Sequence, residues 1–414
     1  MKNKQALPHF LSGLCTGKYT LREASESTGY SIDHLCRLKK KFRQGWDCKT
    51  YNYSHKSPVN RIKQSVREQI VRLYSTEYAD FNFKFFLECL EENEGIHISY
   101  GALRNIMKEF GIKSPCDRRR KVRGVVCHRP RLRRQSEGDM IQLDGTPFQW
   151  FKWCGDMNYY DLMGAIDDAT GKLVGLYMCE NECLHGYNEV MRQCFARYGK
   201  PRCTYTDKAG IFCKSPQQKY KLTLEEQLAG LHESHTQWQR EMEDLGIVQI
   251  LAHSPQAKGR VERMWGTIQG RLPGLFKLYK IHNMKEANAF IESFFLDYFN
   301  RHFSKVPACA ETFWQECPDN LDDILCARFP KRTRKNGNFK FQGYNFVITG
   351  LDRASYISFE LCISERGIYA DVNGKHYELD CTDWITDTRD EIMPLCTRNI
   401  MYEYLYKDMK ESAA

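Results

Sequence analysis

The order in which the apolar pattern changes period between Asp139 and Leu272 constrains this chain more than any other feature. Asp139 to Phe151 alternates apolar and polar residues, the mark of a strand with one buried face. Tyr159 to Ile166 and Leu173 to Met178 read as two further strands, and the turn between them holds Asp167, Asp168, Thr170 and Gly171. A helix is predicted over Leu184 to Tyr198, then a short strand Arg202 to Thr206 that ends at Asp207. Helices around Leu222 to Leu228 and Thr236 to Leu245, a strand Ile247 to Leu251 and a helix Gln256 to Leu272 complete the series.

Three strands, helix, strand, helix, strand, helix is the order of an RNase H-like α/β core, which we place at residues 136–305. The long apolar helix Met284 to Phe303 closes it. Upstream, residues 1–50 read as a helix-turn-helix: a short helix Leu21 to Thr28, a permissive Gly29, and a second helix capped by Ser31. Its basic face carries Arg37 and Lys40, the pattern of a recognition helix, although an ordinary helical hairpin shows charges there too. Residues 58–114 form a second helical unit of helix-turn-helix or winged-helix type, with Arg104 facing outward. From Asn338 the chain is strand-rich again, with an Asn373-Gly374 hairpin turn, and a small β-barrel is expected at residues 336–400. The fold class is therefore multidomain: all-α N-terminal domains, an α/β core and a C-terminal barrel.

Three acids sit at telling places in the core. Asp144 lies in the first strand, within Gln142-Leu143-Asp144-Gly145-Thr146, and a carboxylate there needs a partner or a metal. Asp207 follows the fourth strand, which neighbours the first in such a sheet, and Glu262 lies on the helix that would pack beside both. Singly each has a plain reading: a hydrogen-bonded acid, a cap, a surface salt bridge of Glu262 with Lys258. Converging, they repel one another unless cations neutralise them, and hard oxygen ligands suit Mg²⁺ or Mn²⁺. Two such ions about 3.5–4 Å apart clamp an in-line phosphoryl displacement. Lys258, Arg260 and Arg263 on the same helix are candidate phosphate contacts. Asp167 and Asp168 are rival acids in a turn where Asp is common.

Leu143-Asp144-Gly145, Thr206-Asp207-Lys208 and the run His253 to Arg263 resemble the catalytic blocks of DDE transposases and retroviral-type integrases, most closely the ISNCY type of bacterial insertion-sequence transposase. Asn300-Arg301-His302-Phe303 is also similar to that family. The resemblance implies that Asp144, Asp207 and Glu262 bind two Mg²⁺ or Mn²⁺ ions per site. It implies 3′-end cleavage and strand transfer on double-stranded DNA, at terminal inverted repeats and a target, by an oligomer assembled on DNA. Met264-Trp265 after the Glu262-Arg263 pair departs from that pattern, and no His-His-Cys-Cys set precedes Asp144.

Charge distribution fits a polyanionic partner. Lys and Arg number 61 against 52 Asp and Glu, a formal net charge of +9. Much of the excess falls in residues 115–135, where Arg118, Arg119, Arg120 and Lys121 open a basic run; a self-repelling linker and a phosphate-tracking strap share that composition. Lys331, Arg332, Arg334 and Lys335 read as a second such linker. No stretch of about 18 apolar residues appears, nor a signal peptide, and the 18 scattered cysteines read as reduced thiols in a cytoplasmic, nucleoid-associated protein. Two other classes are open: a catalytically silent DNA-binding regulator, and a structure-selective nuclease of the same fold.

Overall fold

A computed structural model describes residues 6–46, 61–115, 132–214, 235–252, 259–341, 344–351, 355–364 and 367–384. The chain divides into two compact units, Met1–Arg72 and Leu73–Ala414. The first contains α1 (Leu7–Thr16), α2 (Leu21–Thr28) and α3 (Ile32–Arg43). Helix α1 had no counterpart in the sequence reading, because its polar flank hides a start that Pro8 in the first turn marks. The Thr20–Glu23 capping box starts α2, Gly29 ends it at φ 70°, and the Ser31 side chain caps α3. Leu11, Leu14, Ala24, Leu35 and Leu38 fill the centre of this trihelical unit. Arg37 and Lys40 are on its exposed side. Helix α4 (Gln64–Thr76) spans the division between the units.

In the second unit, α5 (Phe83–Glu92) and α6 (Tyr100–Glu109) precede a five-stranded sheet. Its elements are β1 (Met140–Phe148), β2 (Tyr160–Asp167), β3 (Leu173–Cys179), α7 (Leu184–Arg197), β4 (Cys203–Thr206), α8 (Gln237–Asp244) and β5 (Val248–Leu251). The sheet order is β3-β2-β1-β4-β5; the first three strands are an antiparallel meander, and β4 and β5 run parallel to β1. This is the order expected of an RNase H-like core. Helix α9 (Gly259–Gln269), α10 (Leu272–Tyr279), α11 (Met284–Phe290), a π segment Ile291–Phe295 and α12 (Leu296–Phe303) follow. The helix read as continuous over Met284 to Phe303 is thus broken by a π turn, which hydrophobic periodicity cannot signal. Helix α5 is joined to the core: Arg271 makes a two-pronged ion pair with Glu88, and Asn82 donates to the Gly270 carbonyl.

The outer edge of β3 shows how this sheet ends. An open edge presents unpaired N–H and C=O groups to any other chain. Here Asn300 accepts from the Leu173 N–H at 2.7 Å and donates to its C=O at 2.9 Å. Asn288 does the same for Met178 at 2.8 and 3.0 Å, and Gln193 accepts from the Leu176 N–H at 2.7 Å. Leu173 and Met178 lie five apart, and the register shift at Ala165/Ile166 turns both outward. We expect Asn300→Ala to destabilise the unit by about 1–3 kcal/mol, the cost of orphaning buried backbone groups. Urea denaturation checks this; a loss of only a few tenths would mean that the edge finds other partners.

The C-terminal part is not a barrel. Strands β6 (Ala327–Arg332), β9 (Ser358–Ser364), β10 (Gly367–Val372) and β11 (Lys375–Tyr377) form one sheet, order β11-β10-β9-β6. Strands β7 (Asn338–Phe341), β8 (Tyr344–Ile348) and β12 (Leu379–Trp384) form another, order β12-β8-β7. Among the described residues neither sheet closes on itself, the β6 edge is met by the Gln237 amide at Arg328, and the two sheets face one another over Phe339, Phe346, Phe359, Leu361 and Ile368. The expected closure fails because, among the described residues, no strand ladder joins an edge of one sheet to an edge of the other; Phe339 to Ile348, expected as one strand, is a hairpin of two short ones. Lys331 and Arg332, read as linker, belong to β6, where the Lys331 ammonium lies 4.9 Å from the Phe341 ring centre. The Asn373-Gly374 turn is observed, at φ 55° and 81°.

Candidate active site

Alternation along β1 divides its side chains between two faces. Ile141 and Leu143 point into the main core with Tyr187, Val190 and Met191 of α7. Gln142, Asp144 and Thr146 point the other way, onto α9, and all three are tied in that direction. Gln142 donates to Asp168 Oδ1 at 2.6 Å, and the same oxygen receives Arg260 of α9 at 2.5 Å. Asp144 Oδ2 accepts from Trp265 Nε1 at 3.0 Å, and the Thr146 hydroxyl accepts from Gln269 at 3.1 Å. Helix α9 therefore runs alongside β1 in the same direction, fastened at its start, middle and end.

Asp207 is brought to the same level by register. Strand β4 pairs with β1 through Met140↔Cys203, Ile141↔Thr204 and Gln142↔Tyr205. Extended two residues, that register sets Asp207 level with Asp144. Asp207 itself accepts from the Ala209 N–H at 2.9 Å, which turns the chain away after the strand. Glu262 lies in the first turn of α9, one turn before Trp265, and is exposed. Among the described residues, no set of three His, Cys, Asp or Glu side chains is gathered closely enough to hold a metal ion. Asp144 and Asp207 thus lie at one corner of the sheet, where the charges of both bear on Glu182, while Glu262 is on the adjoining helix without joining them.

A fourth acid, which the sequence reading missed, borders this corner. Glu182, just before α7, lies over Gly145, where a Cβ would come within 3.2 Å of its carboxyl carbon. Burial pushes the Glu182 carboxyl above the usual range; the Tyr187 hydroxyl donating to it acts the other way, and the charges of Asp207, Asp161 and Asp144 raise it further. Nothing in Cys179-Glu180-Asn181-Glu182 marks one glutamate over the other, so only the fold could have found it. All-oxygen donors are the chemistry that a hard divalent cation such as Mg²⁺ or Mn²⁺ takes, but among the described residues these acids are not gathered around one point.

The cations proposed from sequence separate by environment. Arg260 is 11% exposed at its side chain and paired with the fully buried Asp168, so its guanidinium is spent inside the protein. Asp168 also accepts from the Arg134 N–H at 2.7 Å, and Arg133 donates to the Ala169 carbonyl at 3.0 Å; the end of the basic run is folded onto the β2–β3 turn. Asp167, the other rival acid, accepts from Gly138 and from Thr170 twice, and is consumed in that turn. Arg263, Arg104, Arg37 and Lys40 are exposed. Arg118, Arg119, Arg120, Lys121 and Lys258, with the helix expected over Leu222 to Leu228, lie outside the described residues. No helix among the described residues is long and apolar enough to cross a membrane.

No family model matches the chain. It is 32% identical over 342 residues to the Sinorhizobium fredii protein named "Putative transposase y4bF", a match covering 82% of this chain and 71% of that one. It is 28% identical over 378 residues to the transposase for insertion sequence IS1202 of Streptococcus pneumoniae, covering 84% and 78%. A simian T-cell lymphotropic virus intasome chain aligns over 78% of this chain and 99% of its own, but at 14% identity and a TM-score of 0.30 the superposition is too loose to carry weight. The first of these similarities is deep enough, over a large enough share of both chains, that this protein belongs to the transposase family.

Proposed function

We propose that this protein cuts the 3′ ends of an insertion sequence and joins them to target DNA, with Asp144, Asp207 and Glu262 as the acids that hold two Mg²⁺ or Mn²⁺ ions. The observation that carries the reading is the β1–β4 register, which sets Asp207 level with Asp144 on the strand to which α9, bearing Glu262, is fastened. Kinship with a transposase of an insertion sequence supports the substrate class, and the motifs favour the ISNCY type. The bound ions would supply an activated water or 3′-hydroxyl and steady the leaving oxygen.

The protein's own groups do the positioning. Trp265 Nε1 holds one oxygen of Asp144 and so fixes the plane of that carboxylate. The Arg260–Asp168 pair anchors the start of α9, from which Glu262 projects. Arg263, exposed on that helix, is set to meet a phosphate, and the Arg37 and Lys40 face of α3 to read the element's ends in duplex DNA. Two ends and a target call for more than one copy of the chain on DNA.

The test uses labelled duplexes carrying the DNA that borders the gene, with purified protein and Mg²⁺ or Mn²⁺. Nicking at the 3′ ends and joining to a plasmid are expected. Nicking without joining would move the protein to a structure-selective nuclease. That Glu262 does not join Asp144 and Asp207 in one cluster is the observation that favours a catalytically silent DNA-binding regulator, and tight binding with no nicking would establish that instead. Trp265→Phe keeps the ring and removes only the N–H. It is expected to weaken metal dependence or activity roughly 10–100-fold, as loss of an outer partner to a metal ligand does. An unchanged Mn²⁺ titration would show that Asp144 needs no such support.

A further inference from the structure

The face of β1 that carries Asp144 does not end at Thr146. Two residues on, Phe148 opens into a cleft of about 780 Å³, and Gln269, which holds Thr146, is also on its wall. That volume is within the range of ligand sites, about 300–1,000 Å³. Phe148 lies four residues from Asp144, which at strand spacing is about 14 Å. A DNA strand rises about 3.4 Å per nucleotide, so the cleft sits roughly four stacked nucleotides from Asp144.

Its chemistry is aromatic and cationic. Tyr159 is 65% exposed on it, and the half-buried Trp153 lines it, its ring centre 4.9 Å from that of His282. Lys152, exposed, comes from the one-turn 3₁₀ helix Lys152–Cys154, and Lys277 from α10, where its ammonium also donates to the Ala79 carbonyl. Asp80 is the single acid among the described residues of the wall. Pro115, on the rim, stands a few residues before Arg118, Arg119 and Arg120 in the chain. One exposed ring and one half-buried ring beside ammonium groups are what unpaired nucleotides require: bases stack on the rings while phosphates meet the cations. A duplex keeps the faces of its bases covered by their neighbours and gains nothing from such rings.

We propose that this cleft binds unpaired nucleotides of a DNA end whose reacting phosphate lies at Asp144, with bases stacked on Tyr159 and Trp153 and phosphates at Lys152 and Lys277. This rests on the transposase reading above for what lies at Asp144. The splayed nucleotides would hold the frayed end in line with the acids. The cleft would then discriminate opened ends from intact duplex.

The experiment measures binding by the full-length protein in EDTA, so that no cleavage enters. The probes are a blunt duplex and the same duplex with a short single-stranded tail, on either strand, carrying 2-aminopurine. The wild type should prefer one tailed probe and quench its fluorescence by stacking. Tyr159→Ala and Lys152→Glu should each weaken tailed binding at least about fivefold and leave blunt binding unchanged. Tyr159→Phe, which keeps the ring, should retain both quenching and affinity. No tail preference in the wild type overturns the inference. So does a tailed affinity that neither substitution alters, or an equal loss on both probes. Tail binding through the cleft by a protein that never nicks DNA would sink the catalytic reading alone; nicking with an unresponsive tail would sink this inference alone.

Discussion

Asp144→Asn is expected to slow 3′-end cleavage by at least about a thousandfold, the rate equivalent of several kcal/mol of lost charge stabilisation. The substitution is nearly isosteric, and the Asn carbonyl still accepts from Trp265 Nε1, so α9 keeps its seat on β1. What disappears is the anionic oxygen that a hard cation needs. Single-turnover cleavage of an end-labelled duplex in Mg²⁺ measures the effect, and binding to the same duplex in EDTA should match the wild type. Asp207→Asn should behave alike. The double variant should be little worse than either, because groups that act as a unit are not additive. Cleavage retained to within tenfold in Asp144→Asn would remove this residue from the catalytic set.

Arg260→Leu is expected to cost about 3–5 kcal/mol of stability, the range for stranding one charge of a buried pair. Asp168 is fully buried and accepts from the Gln142 amide, the Arg134 N–H and Arg260. Without the guanidinium the buried carboxylate loses the cation that Arg260 brings to that oxygen. Adding Asp168→Asn should recover part of the loss, since a neutral amide is cheaper to bury than an unpaired carboxylate. Thermal or urea unfolding reads both variants. The competing role for Arg260, a phosphate contact, makes the opposite forecast: weaker DNA binding at unchanged stability. The pair also sets where α9 begins, so a loosened helix would carry Glu262 away from the sheet.

The core was legible because its signals are local. Alternation in Met140–Phe148 and the helical stripes of α7 and α9 arise from which residues must face away from water, and each is written within about a dozen residues. The order of those elements then leaves one sheet topology for the core, with Asp144 inside the first strand and Asp207 just past the end of its neighbour. Glu182 was not legible. Its importance comes from three acids distant in sequence, and from a glycine, Gly145, that leaves room for it. Trp265 read as a departure from the family pattern, yet its indole N–H is what holds Asp144. Arg260 read as a DNA contact because a cation on an active-site helix resembles one; burial decided otherwise. The barrel failed for a related reason: strand content is local, but closure depends on which edges meet.

The amino-acid sequence by itself determined the element order of the core, the capped helices at the N-terminal end, the three candidate acids and the uneven basic charge of the chain. These depend on periodicity, capping and charge, which act between near neighbours. The tertiary structure alone decided that Asp207 comes level with Asp144, that Trp265 and Asp168 fasten α9, and that Glu182 borders the site. It also left the C-terminal strands as two open sheets. Each of these turns on a contact between residues from distant parts of the chain, where strand register and burial, not local preference, set the outcome.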